Sequence, residues 1–341
     1  MAAEALTNGG FVVRFEEVEA SAGQYERLRR FLAPFFAPAG GGAVPDLTVR
    51  FHPAEEFARA VDARLGERVA IRTSTDARFD LWVDAGRDPG GRLAGFDRSR
   101  RTGYRIAAAS HAVDFFASGD SFFHLMELVR YYGLVVEEAR GSVVLQAAAI
   151  AEGCERAVAI CGPKGAGKTT TMLRRVLADD GVRCLSGDRV LLRLDSGGRP
   201  LVRGWPDYPH VGLGTLREAP ELARRCGVDV EAELSAGREP SDKLVLDPDP
   251  YYAGLLPPDG GPLPLAAVLV PDVRAGEDGT RPLPAGDRRA RLDGVVERAS
   301  EFVTGTWHGM RPPERPRPDG AERALAALCE LPWTEVRSRP R

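Results

Sequence analysis

Alternation and helical spacing of apolar positions mark the first part of the chain, to about residue 138, as a mixture of strands and helices. Phe11 to Val18, Thr48 to His52, Val69 to Thr73 and Phe79 to Asp84 are strand-type runs, while Tyr25 to Phe36 and Ala54 to Gly66 repeat with helical period. Gly40 to Gly42 and Asp88 to Gly91 read as loops, because glycine and proline punctuate structure. Ser121 to Val136 reads as a helix capped by Asp120 or Ser121, with Phe122, Leu125, Leu128 and Val129 on one packing face. No recognisable chemistry lies in this segment, so residues 1–138 are expected to form an α+β accessory or recognition domain.

The pattern changes near residue 141. Val143 to Ala149 and Ala157 to Cys161 are apolar strand-type runs separated by Glu152 to Glu155, a spacing that suggests a hairpin. A helix over Thr171 to Ala178 ends near Asp180-Gly181, and Val182 to Leu185 returns as a strand. Arg189 to Leu194, the turn Asp195 to Gly198, and Pro200 to Arg203 form a second hairpin signal. Trp205 to Thr215 is rich in proline and glycine and reads either as an acceptor-binding loop or as a surface turn. A polar helical stretch runs from Leu216 to about Leu234, and Lys243 to Asp247 and Leu265 to Val270 are further strands. Prolines at 312, 313, 316 and 318 indicate a linker before a last helix over Ala321 to Leu331. The expected domains are therefore 1–138, a nucleotide-binding domain over 139–310, and a proline-rich tail with a helix over 311–341. A purely parallel βαβ core would alternate strand and helix. Hairpins on both sides predict instead an α/β fold of mixed α+β character with a hairpin-rich sheet.

Between Cys161 and the following helix lies Gly162-Pro163-Lys164-Gly165-Ala166-Gly167-Lys168-Thr169-Thr170, which matches G-x-x-x-x-G-K-[ST] in full. An apolar strand precedes it and a helix follows, which is the context that the pattern requires. Gly162, Gly165 and Gly167 allow the backbone to turn its N–H groups toward phosphate oxygens, and the helix N-terminus adds its positive dipole end. Lys168 is expected to reach the terminal phosphates and Thr169 to ligate Mg²⁺, so the expected ligands are ATP and Mg²⁺.

Composition sharpens this. The chain has 46 Lys plus Arg, yet lysine occurs only at 164, 168 and 243. In a background so dominated by arginine, a retained lysine marks a place where a compact point charge serves better than a planar fork. The 341 residues, 43% hydrophobic and 28% charged, suit an ordinary globular chain of two domains. A net charge of −3 gives no nucleic-acid footprint, and no apolar run approaches the roughly 18 residues of a membrane helix. No secretory signal is visible at the start, so a cytoplasmic location is expected. Five cysteines without a C-x-x-C pair fit a reducing compartment, with Cys161 and Cys184 as small core residues. The five histidines show no metal-ligand spacing.

A strand hairpin, the glycine loop, one helix and then Leu185-Ser186-Gly187-Asp188-Arg189-Val190 entering another hairpin resemble the C-terminal catalytic domain of HPr kinase/phosphorylase and its relatives. The resemblance covers roughly Gly141 to Arg274. It implies a nucleotide-binding core shared with phosphoenolpyruvate carboxykinases, in a stand-alone kinase of a small molecule or a peptide. HPr kinases form rings, so the resemblance leaves a homo-oligomer open. It further implies two adjacent aspartates after the helix, one associated with Mg²⁺ and one exchanging the proton of the acceptor hydroxyl. Gly187 stands at the first of these positions and Asp188 at the second. Where the family tends to have a histidine before the loop, this chain has Gln146.

Asp188, 20 residues after Lys168, is the expected metal carboxylate and a candidate base; its alternative is a turn aspartate that caps a strand. Asp272, after the apolar run Leu265 to Val270, is the rival. Lys243, at the entry to a strand, either reaches the transferring phosphate or an anionic substrate group, as the resemblance implies, or is a solvated surface lysine. Arg203 reads as a solvated residue or an anion contact. The leading expectation is an ATP-dependent kinase acting on a hydroxyl of a small metabolite or of a seryl residue. The alternatives are an NTPase acting as a switch or assembly factor, and a degenerate nucleotide binder. An N-K-x-D guanine motif is absent.

Overall fold

In a computed structural model, which describes residues 4–72, 80–107, 111–153, 155–257, 261–273, 277–299 and 319–338, the chain divides into two units after Arg140. The first holds described residues up to 140 together with 298 and 299, and the second holds 141–297 and 319–338. Each unit is mixed α/β, with parallel and antiparallel pairs in one main sheet. No helix of the described residues is long and apolar enough to cross a membrane.

In the first unit, strands β1 (Glu4–Thr7), β2 (Val12–Glu16), β3 (Ala37–Pro38), β4 (Leu47–Pro53), β5 (Glu67–Arg72), β6 (Leu81–Arg87), β7 (Leu93–Asp97), β8 (Thr102–Ala107) and β9 (Ala112–Ala117) form one sheet. Their order is β3-β1-β2-β4-β9-β8-β7-β6-β5. The β2–β4 and β4–β9 pairs are parallel. Alternation works as period-2 chemistry requires: Val13, Phe15, Val49, Phe51, Val113 and Phe115 are all buried. Helices α1 (Ala22–Leu32) and α3 (Phe122–Ala139) supply the apolar partners, with Phe15 5.2 Å from Tyr25 and Phe31 6.0 Å from Phe122 between ring centroids. The packing face of α3 is the expected one. Ser121 stands at its start without a side-chain cap bond, because its hydroxyl is engaged with Thr102 at 2.6 Å.

One expected helix is cut short. Ala54 to Gly66 forms a 3₁₀ turn and then only α2 (Phe57–Ala60), after which Val61 is extended. Packing overrides propensity here: Phe57, Val61, Ala94 and Phe116 bury together, with Leu65 against them. The Ala60 carbonyl accepts from the Arg105 guanidinium at 2.9 Å. Residues 64 and 65 pass so near β6 that a Cβ on Gly86 would stand 2.3 Å from the Arg64 carbonyl oxygen. Strands β7 to β9, in which Gly95, Asp97, Gly103, Arg105 and Asp114 interrupt the apolar positions, were not expected from the pattern.

The second unit contains β10 (Val143–Leu145), β11 (Ala147–Glu152), β12 (Arg156–Cys161), α4 (Lys168–Ala178), β13 (Val182–Ser186), β14 (Val190–Leu194), β15 (Pro200–Gly204) and β16 (His210–Gly212). It continues with α5 (Leu213–Glu218), α6 (Pro220–Arg225), α7 (Val230–Ser235), β17 (Lys243–Val245), α8 (Pro248–Tyr252), β18 (Leu263–Asp272), β19 (Gly279–Pro282), α9 (Ala285–Asp293), β20 (Val296–Glu297), α10 (Asp319–Glu330) and β21 (Trp333–Arg337). The main sheet runs β13-β11-β12-β18-β15-β14-β10-β20, with β21 paired to β18 and β19. The hairpins β11–β12 and β14–β15 are antiparallel, whereas β12–β18 and β18–β21 are parallel.

Two sequence expectations change. The single strand over Val143 to Ala149 is two, because the chain turns at Gln146, whose N–H donates to the Val295 carbonyl at 2.7 Å. The stretch from Leu216 to Leu234 is three short helices. Pro220 begins α6 and holds Ala219 out of the helical region, Gly227 takes a φ of +70° after that helix, and Asp229 caps α7 by accepting from the Ala232 N–H. The tail expected over 311–341 does not stand apart: α10 and β21 are part of the second unit, with Leu325, Leu328 and Trp333 in its core. The expected linker residues 311–318, Cys154 and the Thr73 and Phe79 strand ends lie outside the described residues.

The first unit carries a buried polar chain of its own. Tyr104 Oη lies 2.7 Å from His124 Nδ1, and His124 Nε2 lies 2.8 Å from Asp97 Oδ2. Burial holds His124 below its ordinary value and keeps it neutral, so Nε2–H donates to the carboxylate and Nδ1 accepts the tyrosine proton. Burial alone would raise the Asp97 carboxyl. Hydrogen bonds from His124, from the Ser99 hydroxyl and N–H, and from the Arg100 N–H outweigh it and bring it down to about 2. A depressed carboxyl contributes stability that is present above its unfolded value of 3.8 and is lost as pH falls toward 2. Asp97→Asn is expected to cost about 2 kcal/mol at pH 7. It should also remove the matching loss between pH 4 and pH 2, measured by denaturant titration of the full chain at several pH values.

Candidate functional site

The glycine loop leaves a strand that is buried over nearly its whole length. In β12 every residue from Ala157 to Cys161 is buried, and β11 beside it is buried from Ala147 to Ala151. Ala147, Ala149, Ala157 and Ala159 pack in one core cluster with Ala321, Ala324, Leu325 and Leu328 of α10. Burial pushes the Cys161 thiol up to about 12, so it is an inert core residue.

Past Cys161 the loop closes on itself through the Ala166 N–H to the Pro163 carbonyl at 3.1 Å. Gly165 and Gly167 take φ values of +87° and +99°, the left-handed region in which a side chain is strained. Gly167 has a second reason to be glycine, since a Cβ there would stand 2.2 Å from Val273 Cγ1. The end of β18 therefore braces the loop, with the Val273 N–H reaching the Ala166 carbonyl at 3.4 Å. Gly167 is the N-cap of α4 and offers no side-chain cap bond, so the first helical N–H groups face the loop without one. Pro163, Lys164 and Gly165 are exposed, and Ala166 to Thr170 are half-buried.

Lys168 folds back into this loop. Its Nζ donates to the Gly162 carbonyl at 2.8 Å and to the Pro163 carbonyl at 3.4 Å. Burial pulls its pKa below the ordinary lysine value; the Asp188 carboxylate opposes this, and the Lys243 ammonium adds to it. Asp188 and Lys243, from two other stretches of chain, thus each come within electrostatic reach of Lys168.

Asp188 sits on the turn between β13 and β14. The Ser186 hydroxyl donates to the Arg189 carbonyl at 2.6 Å, and the Trp205 N–H donates to the same oxygen at 3.1 Å, which fixes the turn from both sides. Asp188 Oδ2 accepts from Arg189 at 2.7 Å, and its side chain is 40% exposed against 17% for Arg189. The rival Asp272 ends β18 directly beside the loop strand, with its backbone committed to β21 opposite Arg337. The carboxylate acting most strongly on Lys168 is Asp188, and Glu297 acts on it as well.

Lys243 begins β17, opposite Gly212 of β16, and is exposed. This small ribbon is tied to the loop helix. The Leu213 N–H bonds the Asp242 carbonyl at 2.9 Å, Thr215 Oγ1 meets Thr170 Oγ1 at 2.7 Å, and Glu218 takes Arg174 in a two-bonded pair at 2.7 and 2.9 Å.

Two expectations are overturned nearby. Trp205 to Pro209 is no surface turn: every residue is buried. Of the two readings of Arg203, the solvated one is excluded, since the residue is only 7% exposed. The burial brings in a residue that sequence reasoning missed. The Asp207 carboxylate, held by the Tyr252 hydroxyl, stands against Gly187, and a Cβ at 187 would be 3.0 Å from Asp207 Oδ2. Glycine at that position makes room for an acid arriving from the segment between β15 and β16. Arg189 and Glu297 were also missed; no local signal links residues 108 positions apart.

The arrangement is suited to an anionic group bearing phosphate. A glycine loop, an uncapped helix start and a half-buried lysine converge, and an accessible carboxylate stands beside them. Among the described residues no three His, Cys, Asp or Glu side chains gather to hold a metal by themselves, so a cation here would take phosphate or water oxygens as further ligands. A scan of the chain against protein-family models finds no match, and a search of curated proteins finds no matching sequence.

Proposed function

We propose that the protein is an ATP-dependent kinase that transfers the γ-phosphate to a hydroxyl of a small metabolite or of a seryl residue, on a nucleotide-binding core of the HPr kinase/carboxykinase type. The observation that supports this most is the convergence of Lys168, Asp188 and Lys243 at the glycine loop. A glycine loop alone would serve any nucleotide binder. A carboxylate and a second lysine beside it supply what a transfer reaction needs beyond binding.

In this reading the amides of Gly165 to Thr169 and the start of α4 cradle the phosphates, and Lys168 exchanges its loop carbonyls for phosphate oxygens. The Thr169 hydroxyl and Asp188 would hold Mg²⁺, directly or through water, and the ion would supply charge neutralisation at the phosphates. Asp188 receives the proton of the acceptor hydroxyl as its oxygen bonds to phosphorus and the bond to the leaving diphosphate breaks. Lys243, exposed at the rim, meets the transferring phosphoryl group or an anionic part of the acceptor. The buried Trp205 to Pro209 segment supports the turn that carries Asp188, rather than offering a binding surface.

The test uses γ-labelled ATP, Mg²⁺ and fractionated small molecules or peptides, with the label followed to its acceptor. Label found only as free phosphate moves the reading to an NTPase switch, and tight ATP binding without turnover moves it to a nucleotide binder without catalysis. Lys168→Ala is expected to weaken ATP binding at least about tenfold and transfer about a hundredfold; full transfer by this variant would sink the assignment. Asp188→Asn should leave ATP affinity at saturating Mg²⁺ within about threefold and lower turnover about a hundredfold or more. Lys243→Ala should leave the KM for ATP unchanged while lowering turnover or raising the KM for the acceptor about tenfold. Unchanged values in the steady-state kinetics would remove Lys243 from the site.

A further inference from the structure

Arg189 stands between two carboxylates. Its Nη1 is 2.7 Å from Asp188 Oδ2 and its Nε is 2.8 Å from Glu297 Oε2, so one planar guanidinium is shared by both acids. The three differ in freedom. Arg189 is 17% exposed and its backbone is fixed by Ser186 and Trp205, and Glu297 is 18% exposed on β20, paired to β10 opposite Val144. Asp188 is the accessible member, on a turn beside the glycine loop.

We infer that Glu297 is a positioning residue for Asp188: by keeping its own hold on Arg189, it lets the Asp188 carboxylate exchange the guanidinium for a divalent cation. The inference rests on the phosphoryl-transfer reading of the site. A cation that recruits Asp188 must displace the arginine from it. A guanidinium mostly removed from water, left with less compensating charge, opposes that displacement. Glu297 stays in place when Asp188 turns away and so lowers the cost. Without Glu297 the positive charge falls more heavily on Asp188, strengthening the contact that the cation must break. The Glu297 carboxylate is also among the charges that act on Lys168, which places it at the same site rather than at a remote structural pair.

The experiment is Mg²⁺-dependent binding of a fluorescent ATP analogue to the full chain. Glu297→Gln is expected to raise the Mg²⁺ concentration for half-maximal binding about tenfold, and Arg189→Met/Glu297→Gln to bring it back to within about twofold of the unaltered protein. A thermal transition of Glu297→Gln within a few degrees of the unaltered protein's, beside the raised Mg²⁺ requirement, separates positioning from support of the fold, because loss of a fold contact would lower both together. An unchanged Mg²⁺ requirement in Glu297→Gln overturns the inference, as does a raised requirement that the double variant fails to lower. If Glu297→Gln does not fold, as judged by its thermal transition, Glu297→Asp takes its place. The shorter acid is then expected to raise the requirement by about threefold, and no change overturns the inference. If the unaltered protein binds the analogue with no dependence on Mg²⁺, only the inference fails; if it does not bind the analogue at all, the phosphoryl-transfer reading fails and takes the inference with it.

Discussion

The parallel pairing of β12 with β18 is the constraint on which the second unit depends. Its register, Ala157 with Leu265 through Ile160 with Leu269, sets where each strand ends. It therefore brings Pro271 and Val273 against the glycine loop just as β12 stops. The loop is short of side chains and cannot hold its own shape through packing. Its two left-handed glycines would be free to sample other conformations without a wall behind them. Val273 fills the space that a side chain at 167 would take, so the same contact excludes alternatives at that position and defines the loop. The strand pair thus determines the direction in which the first amides of α4 point.

The charges at the site follow from burial rather than from number. Lys168 is withdrawn from water, and an ammonium so placed needs oxygen partners. The loop carbonyls of Gly162 and Pro163 supply them at short range, and Asp188 supplies opposite charge at longer range. Asp188 is in turn held by Arg189, and Arg189 by Glu297. The chain of alternating charge is closed at one end by a strand and open at the other, where Asp188 meets solvent. An arrangement of this kind can respond to an incoming anion and cation with small movements of side chains while the backbone stays in place.

What was legible in the sequence was local. The strand, glycine loop and helix follow one another within about twenty residues, and the hairpins β11–β12 and β14–β15 are announced by their own turns. Lys168 and Asp188 could be named because each is tied to such an element. What was not legible was made by contact between distant segments. Residues 319–338 read as a tail since nothing local tells that Trp333 pairs beside Val268 in the main sheet. Trp205 to Pro209 has the composition of a turn, but it is buried, and Asp207 with it. The helix after Ala54 ends early because Val61 and Leu65 are more valuable to the core extended than coiled. The departure at Gly187 has the same origin: the space is taken by a carboxylate 20 positions later.

The scarcity of lysine gains a physical meaning from these contacts. Where arginine appears in this protein it does what a planar fork does, binding Glu218 twice through Arg174, Glu335 through two nitrogens of Arg281, and two different acids through Arg189. Lys168 does something else. A single nitrogen on a flexible stem enters a loop of main-chain carbonyls, with Gly162 and Pro163 as its partners. A guanidinium would bring five donors and a rigid plane into a space bounded by backbone and by Ala166, where the carbonyls available could not match them. Lys164 and Lys243 are exposed, so confinement does not account for them. For Lys243 the relevant fact is its electrostatic reach to Lys168, a second positive charge kept beside a half-buried first one against their mutual repulsion. Such a pair is unfavourable in isolation and becomes favourable only with an anion between or before the two, which is the condition that a phosphate at the glycine loop would meet.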